Sequence, residues 1–388
     1  MPIRILSVDD ENDLELLLTQ YFRRKIRKGE YEFSFAHNGL EALTMLLKNK
    51  NYDIILSDIN MPEMDGLTLL TKINELQDPA LKCIMVSAYG DMGNIRQAMN
   101  NGAFDFTTKP IDLDDLSVTI EKAIEQIKYV REMQKEHSQL ESLKGDLAIA
   151  SEIQLAILPR IFPPFPEDAD KFDIAASMTA AKDVGGDFYD FFRIDDHHIG
   201  LVIADVSGKG VPAAIFMAVS RTLLRATALR GVSPAECMTY SNRLLAKESV
   251  NCMFVTVFYG IYDTQTGEVV YTNAGHNPPY IVKASGEVKP FPMPADTMVG
   301  IMDDLEFHEE KTQLEKGDAL VLYTDGVTEA MNPELQEYGE SRLEEALKKT
   351  PSLDCQQTID ATKADVAAFV AGADQSDDLT MLVFKRLN

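Results

Sequence analysis

The sequence predicts a multidomain chain with three parts: a doubly wound α/β domain, a long helical linker, and an α+β layered domain. Three observations predict them. Up to about residue 128, short apolar runs alternate with helical patterns. From about 112 to 158 the pattern is helical throughout. From 170 to 388, strand-like runs group together and helical blocks group together. Alternation implies a parallel sheet covered on both faces, and segregation implies stacked layers.

The runs of the first part are "IRILSV", "YEFSFA", "YDIILSD", "KCIMVSA" and "AFDFTTK". Burial on both faces accounts for their apolar richness. Between them lie the helical patterns "LELLLTQYFRRK", "GLEALTMLLKN", "GLTLLTKINEL" and "GNIRQAMNN". In the linker, Asp112 is placed to cap a helix, with Asp115 at the N3 position. Ile120, Ala123, Ile127 and Val130 recur at helical spacing. Leu140, Leu143, Leu147, Ala150 and Ile157 resume it in another phase, beyond the polar "REMQKEHSQ". Two apolar seams with a phase break predict an interrupted coiled coil, and hence a homodimer. The alternative is two helices packed on their own domains, with Gly145 as a break. "LPRIFPPFP" ends the helix, because its four prolines cannot continue it. The third part has the strand-like runs "FDIAASM", "HIGLVIADV", "MFVTVFYGIYD", "VVYTNA", "ALVLYTD" and "DLTMLVFKR". Its helical blocks fall at about 211–248 and 340–371, and "DTQTGE" is a hairpin-like turn. The expected domains are 1–125, a linker at 126–160, and 161–388.

Composition excludes several functions. A net charge of −25 over 388 residues argues against a nucleic-acid surface and an anionic membrane surface. Four scattered cysteines without a CxxC pair argue against a disulfide framework or zinc site, and fit a reducing cytoplasm. The start does not look like a signal peptide, and no apolar run approaches the roughly 18 residues of a membrane span. The expectation is a cytoplasmic protein without nucleic-acid or membrane partners.

In a parallel α/β sheet, ligands sit beyond the carboxyl ends of the strands. Asp9 and Asp10 follow the first run, Asp58 ends the third, Ser87 the fourth, and Lys109 the fifth. Three acids on one rim repel unless a cation is present, and oxygen ligands suit Mg²⁺. One carboxylate can act as a nucleophile and form an aspartyl-phosphate, with Ser87 and Lys109 binding the phosphoryl oxygens. The motifs "VDDE", "DINMPEMDG", "SA" and "KP" resemble the receiver domain of two-component response regulators over residues 1–125. That resemblance implies a flavodoxin-like fold and a cognate histidine kinase. It makes Asp58 the phospho-acceptor and assigns Mg²⁺ to Asp9, Asp10, Asp58 and the Asn60 backbone carbonyl. Ser87 becomes the switch hydroxyl and Lys109 the phosphate-binding lysine. Phe106 holds the switch aromatic position, without a tyrosine hydroxyl.

The last part places Asp187 after "VGG", Asp205 before "VSGKG", Asp325 before Gly326, and Asp377 and Asp378 at the head of the final run. The glycines allow close backbone approach. Any single Asp-Gly pair is better read as a turn. Four such places with few basic partners call for cations, and oxygen-only ligation favours Mg²⁺ or Mn²⁺. Two such ions about 4 Å apart activate water and clamp a phosphoryl group. The motifs "VGGDFYDF", "ADVSGKGVPAA", "NAGHNPP", "YTDGVTEA" and "SDDLTMLV", with "LAIASEIQLAILP" upstream, resemble the metal-dependent serine/threonine phosphatases of the SpoIIE/RsbU type over 145–388. The resemblance implies a helix-flanked β-sandwich (α-β-β-α) with two Mn²⁺ or Mg²⁺ ions. Asp187, Asp205, Asp325 and Asp377 would be the catalytic metal ligands, Asp205 bridging and the Val206 carbonyl joining one ion. Asp378 is the alternative to Asp377. It also implies direct attack of water on phosphorus, without a protein nucleophile.

Other residues keep two readings. Asp190 either supports the ligands or is a solvated strand residue. Lys182 either touches the substrate phosphate or is an ordinary exposed lysine. His276 and Asn277 read as structural, with general acid work by His276 the alternative. His197 and His198 read as a hairpin. "GKG" at 208–210 reads as a turn, since it lacks the full Gly-rich nucleotide motif. The expected function is a response regulator in which Asp58 phosphorylation, through helix 140–158, controls a phosphatase acting on a phosphorylated STAS-type anti-sigma-factor antagonist. The alternative is a non-catalytic adaptor that binds an anti-sigma factor or other regulator.

Overall fold

The computed structural model describes residues 2–49, 51–88, 91–162, 164–249, 252–294 and 296–388. Pro163 of the predicted helix stop lies outside them. The chain divides into two compact units, Met1–Leu143 and Lys144–Asn388.

The N-terminal unit is a parallel sheet in the order β2-β1-β3-β4-β5. Its strands are β1 (Ile3–Val8), β2 (Tyr31–Ala36), β3 (Ile54–Asp58), β4 (Lys82–Ala88) and β5 (Asp105–Lys109). The helices are α1 (Asn12–Tyr21), α2 (Arg23–Arg27), α3 (Gly39–Lys48), α4 (Gly66–Glu75), α5 (Met92–Asn100) and the start of α6 (Leu113–Ile157). Successive strand residues feed opposite faces, which is why the strands are apolar without alternation. Ile54 and Leu56 join Leu18 of α1 and Leu116 of α6. Ile55 between them joins Leu69 and Leu70 of α4.

Helix α6 corrects part of the linker reading. Its N-terminus is capped as expected, the Asp112 carboxylate accepting the N–H groups of Asp114 (2.9 Å) and Asp115 (3.3 Å). The first apolar seam, however, is not free for a coiled coil. Ile120, Ala123 and Ile127 are buried in the unit's own core, against the sheet. Lys25 pairs with Glu121 at 2.7 Å, and Arg131 pairs with Asp53, fastening the same stretch. The helix runs through Gly145 without a break. Leu140 and Leu143 of the second seam stay 51% and 56% exposed.

The C-terminal unit stacks two antiparallel sheets, β13-β10-β9-β8-β7 and β12-β11-β14-β15-β6. The strands are β6 (Phe172–Thr179), β7 (Phe188–Arg193), β8 (His198–Val206), β9 (Val255–Asp263), β10 (Glu268–Ala274), β11 (Tyr280–Val282), β12 (Val288–Pro290), β13 (Glu310–Gln313), β14 (Ala319–Tyr323) and β15 (Leu379–Arg386). Helices α7 (Val211–Ala228) and α8 (Pro234–Glu248) cover the first sheet. Of α9 (Asp325–Thr328), α10 (Glu340–Leu347) and α11 (Cys355–Val370), the last packs on β6 and β15 of the second sheet. Strand alternation builds the layers. In β14, Leu320 and Leu322 face the first sheet, while Val321 and Tyr323 face α10 and α11. The result is the expected α-β-β-α order, and it brings the ends of β7, β8, β14 and β15 to one edge.

Candidate functional sites

At the carboxyl rim of the parallel sheet, Lys109 Nζ lies 2.7 Å from Asp58 Oδ2, 3.0 Å from Asp9 Oδ2 and 3.1 Å from Glu11 Oε1. Burial disfavours the ammonium charge, but these acids outweigh it and raise the Lys109 pKa. Burial likewise pushes Asp9 above the usual carboxylate range. Donor atoms of Asp9, Asp10 and Asp58 all fall within 4.8 Å of one another, the only acid trio so tight among the described residues. Ser87 is buried on the adjacent strand, its hydroxyl 3.5 Å from the Ala88 carbonyl. Phe106 is half-buried, pairs with Met85 of β4 and packs against the core of the unit. Asn60 is exposed and donates its N–H to Asp58 Oδ1 at 3.3 Å.

The second cluster lies at the shared sheet edge. Asp187 immediately precedes β7, and Asp205 sits near the end of β8, where Phe188 pairs with Ala204. Asp325 opens α9, separated from the end of β14 by one residue, and Asp377 and Asp378 precede β15. Burial, then the neighbouring Asp205, holds Asp187 well above the usual carboxylate range. Burial, then Asp325, pushes Asp205 up to about 7, and burial, then Asp377, raises Asp325. These acids resist sharing the space as anions, which is the condition a cation relieves.

The adjacent aspartates divide their work. Asp378 is buried and accepts N–H groups from Ala181 (2.8 Å), Gly186 (2.6 Å) and Asp187 (3.3 Å), so it shapes the loop that carries Asp187. Asp377 is half-exposed and meets Lys209 Nζ at 2.7 Å. The Thr324 hydroxyl accepts the Thr380 N–H at 3.1 Å and donates to Asp187 Oδ2 at 2.7 Å. Gln154 of α6 is buried and grips Gly185 twice: its amide donates to the Gly185 carbonyl (2.6 Å), and its oxygen accepts the Gly185 N–H (3.0 Å).

Residues 5–121 match the response regulator receiver domain, and residues 195–387 match the stage II sporulation protein E (SpoIIE) family. The chain joins a receiver domain to a SpoIIE-family domain. Protein IcfG of Synechocystis sp. is 31% identical over 268 residues, covering 62% of this chain and 41% of its own length. Phosphoserine phosphatase RsbU of Bacillus subtilis is 32% identical over 190 residues, covering 49% of this chain and 55% of its own. The chain thus spans about half the length of these curated relatives. The SiaA-PP2C domain of Pseudomonas aeruginosa shares the fold at 21% identity and a TM-score of 0.55, over 64% of this chain and 99% of that one.

The donor set of the SpoIIE domain fits divalent ions: carboxylates and a backbone carbonyl, with no sulfur or imidazole. Its glycines fit too. A Cβ on Gly186 would sit 2.8 Å from the Val206 carbonyl oxygen, and one on Gly326 would sit 1.9 Å from the Asp378 carbonyl oxygen. Either side chain would push the acid-bearing loops apart.

Several predicted residues fall elsewhere. Asp190 is not a solvated strand residue, and its ion-pair partners are two arginines of α7. It is buried between Arg225 (2.7 Å) and Arg221 (3.0 Å), tying β7 to α7. Lys182 is exposed and has no ion pair among the described residues; the lysine that reaches the acids is Lys209. His276 is buried as a strut. Its Nε2 donates to the Tyr323 carbonyl (3.1 Å), which leaves Nδ1 to accept from the Thr256 hydroxyl (3.0 Å). Burial pushes its pKa down to about 4, so it is neutral near pH 7. Asn277 is half-buried beside it. His197 lies in the β7–β8 turn, and His198 opens β8. Sequence reasoning missed Gln154, Thr324 and the outward reach of Lys209. The signal available for the last was its position four residues after Asp205.

Among the described residues, no helix is long and apolar enough to cross a membrane.

Proposed function

We propose that the SpoIIE domain is a divalent-metal-dependent phosphoserine/phosphothreonine protein phosphatase, and that phosphorylation of Asp58 in the receiver domain controls it. The observation that carries this reading is the gathering of Asp187, Asp205, Asp325 and Asp377 at one sheet edge, with three of them held above ordinary acidity. These four, with the Val206 carbonyl, would hold two Mn²⁺ or Mg²⁺ ions. When bound, the ions supply Lewis acidity and bring the pKa of water toward neutrality beside a phosphoryl group. The chain's own part is orientation. Thr324 fixes one Asp187 oxygen and leaves the other for a ligand role, Asp378 holds the Asp187 loop, and His276 braces the strand ends behind Asp205 and Asp325.

In the receiver domain, Asp9, Asp10, Asp58 and the Asn60 carbonyl would hold Mg²⁺, with Asp58 as phospho-acceptor, Lys109 and Ser87 on the phosphoryl oxygens and Phe106 responding by packing. Helix α6 supports a route of control. Its first half is part of the receiver core, and Gln154 near its end grips the loop leading to Asp187. The same proposal includes a histidine kinase as phosphodonor and a phosphorylated STAS-domain protein as substrate. It also includes homodimerisation through the exposed Leu140–Leu143 stretch and a cytoplasmic setting.

The test is turnover of p-nitrophenyl phosphate and a phosphoserine protein with Mn²⁺, comparing the unaltered chain with Asp205→Ala and Asp325→Ala, each with and without beryllofluoride. Loss in both variants and a beryllofluoride response are expected. Equal turnover in all three removes the enzyme, and partner binding insensitive to both substitutions makes the domain an adaptor.

A further inference from the structure

We infer that Lys209 is a built-in cation that competes with a divalent ion for Asp377, so that full metal loading of the SpoIIE domain is an exchange of ammonium for metal. The inference rests on the metal site proposed above and adds a regulator to it.

Lys209 lies in the loop after β8, two residues before α7, whereas Asp377 lies in the loop before β15 of the other sheet. The ammonium spans that gap. It is 2.7 Å from Asp377 Oδ2 and also donates to the Ser376 carbonyl. Gly208 and Gly210 on either side have φ of 88° and 80°, values that favour glycine and set the turn that projects the lysine. The second Asp377 oxygen is taken, since Oδ1 accepts the Asp378 N–H at 2.9 Å. Oδ2 is therefore the atom over which two cations contend. An ion at the roughly 2.1 Å distance of Mg²⁺ coordination would set a double positive charge against the ammonium on the same oxygen, and no second acid among the described residues holds Lys209 there, so the repulsion favours its departure.

Charge balance points the same way. Four carboxylates match two divalent ions. With only one divalent ion two positive charges are missing and Lys209 supplies one of them; with two ions, it is surplus. The first ion can therefore bind with Lys209 in place, and the second must displace it. Displacement requires no unfolding, because the side chains of Lys209 and Asp377 are 40% and 30% exposed. No other Lys or Arg is ion-paired to Asp187, Asp205, Asp325 or Asp377 among the described residues.

The test is a Mn²⁺ titration of the full chain by calorimetry and by the EPR signal of free Mn²⁺, in an Asp10→Asn background that weakens the receiver site. Lys209→Met removes the charge and keeps the stem, and Lys209→Gln is the second variant should the first fold poorly. Either is expected to tighten the weaker binding step roughly 3- to 10-fold, the worth of a half-exposed ion pair. Lys209→Arg should leave that step weak, and Asp377→Asn should abolish it whatever stands at 209. Two-step binding that Lys209→Met and Lys209→Gln leave unchanged or weaken overturns the inference while the metal site stands. A chain that binds no Mn²⁺ beyond the receiver overturns both.

Discussion

Replacing Gln154 with leucine tests whether helix α6 speaks to the acid cluster. The side chain is 6% exposed and makes two hydrogen bonds to one residue, 2.6 Å to the Gly185 carbonyl and 3.0 Å from the Gly185 N–H. Leucine fills similar space and leaves both backbone groups buried without partners. Each such group costs about 1–3 kcal/mol; taken at about 1–2 kcal/mol each, since water reaches both once the helix end lifts, the docked helix end loses about 2–4 kcal/mol. That shifts a docking equilibrium by roughly 30- to 1000-fold at about 1.4 kcal/mol per decade. It is a minority of a typical domain stability of about 5–15 kcal/mol, so the fold should survive. Gly185 is two residues before Asp187, so a released loop loosens one ligand. Hydrogen exchange is expected to rise at 150–158 and 183–188 with little change elsewhere, and turnover at low Mn²⁺ should fall by an order of magnitude or more. Gln154→Glu should fall between, since it keeps an acceptor for the Gly185 N–H but sets a carboxylate against the carbonyl. Unchanged exchange together with unchanged turnover would refute the coupling.

Three further outcomes follow from individual contacts. Thr324→Val should lose about 1–3 kcal/mol and weaken Mn²⁺ binding, because both Asp187 Oδ2 and the Thr380 N–H lose their partner, whereas Thr324→Ser keeps both; equal melting and metal affinity in the two variants contradict this. His276 has a folded pKa of about 4, below its ordinary 6.5, so the unfolded chain takes up its proton first as pH falls. The stability from this residue is complete above pH 6.5 and is lost progressively down to pH 4, about 3 kcal/mol in all; urea denaturation should show that slope in the native chain and a flatter one in His276→Gln, and parallel curves would be the contrary result. Asp190→Asn weakens a buried pair with Arg221 and Arg225 and should destabilise by roughly 3 kcal/mol, while turnover per folded molecule is retained. A selective loss of turnover would return Asp190 to the site.

The sequence is most legible where chemistry and periodicity coincide. Asp58 and Asp205 are acids at the ends of apolar runs, and an acid there marks a sheet edge whichever way the sheet is packed. Legibility fails where one pattern has two outcomes. Ile120, Ala123 and Ile127 have the spacing of a coiled-coil seam and of a helix face on its own sheet; only the third dimension shows that the sheet takes them. "FYDFFR" forms β7 but has no alternation, because the sandwich core and α7 bury both its faces, so it does not stand out as a strand. Lys182 is near Asp187 along the chain, yet Lys209 is the lysine that reaches Asp377, 168 residues away in sequence. Gln154 carries no signal of its own, since a polar residue on a linker helix ordinarily faces water.

The two acid clusters solve one electrostatic problem in different ways. Each gathers carboxylates at strand ends, and each includes a single lysine, which is not enough to neutralise them. In the receiver domain Lys109 comes from β5 and bridges Asp9 and Asp58 directly, at 3.0 and 2.7 Å, so it stays bound to the acid expected to accept the phosphoryl group. Its role requires that it remain. In the SpoIIE domain Lys209 comes from an exposed glycine-flanked turn and touches only the outermost acid, Asp377. Its role requires that it leave. The difference is legible in burial: the Lys109 side chain is 25% exposed and, of its three acid partners, Asp9 and Asp58 are at most 7% exposed, against 40% and 30% for Lys209 and Asp377. An ion pair that deep resists exchange, and one that shallow is screened and replaceable. Raising the ionic strength should therefore narrow the gap in Mn²⁺ affinity between the unaltered chain and Lys209→Met, read by the same titration, because salt screens the Lys209–Asp377 pair.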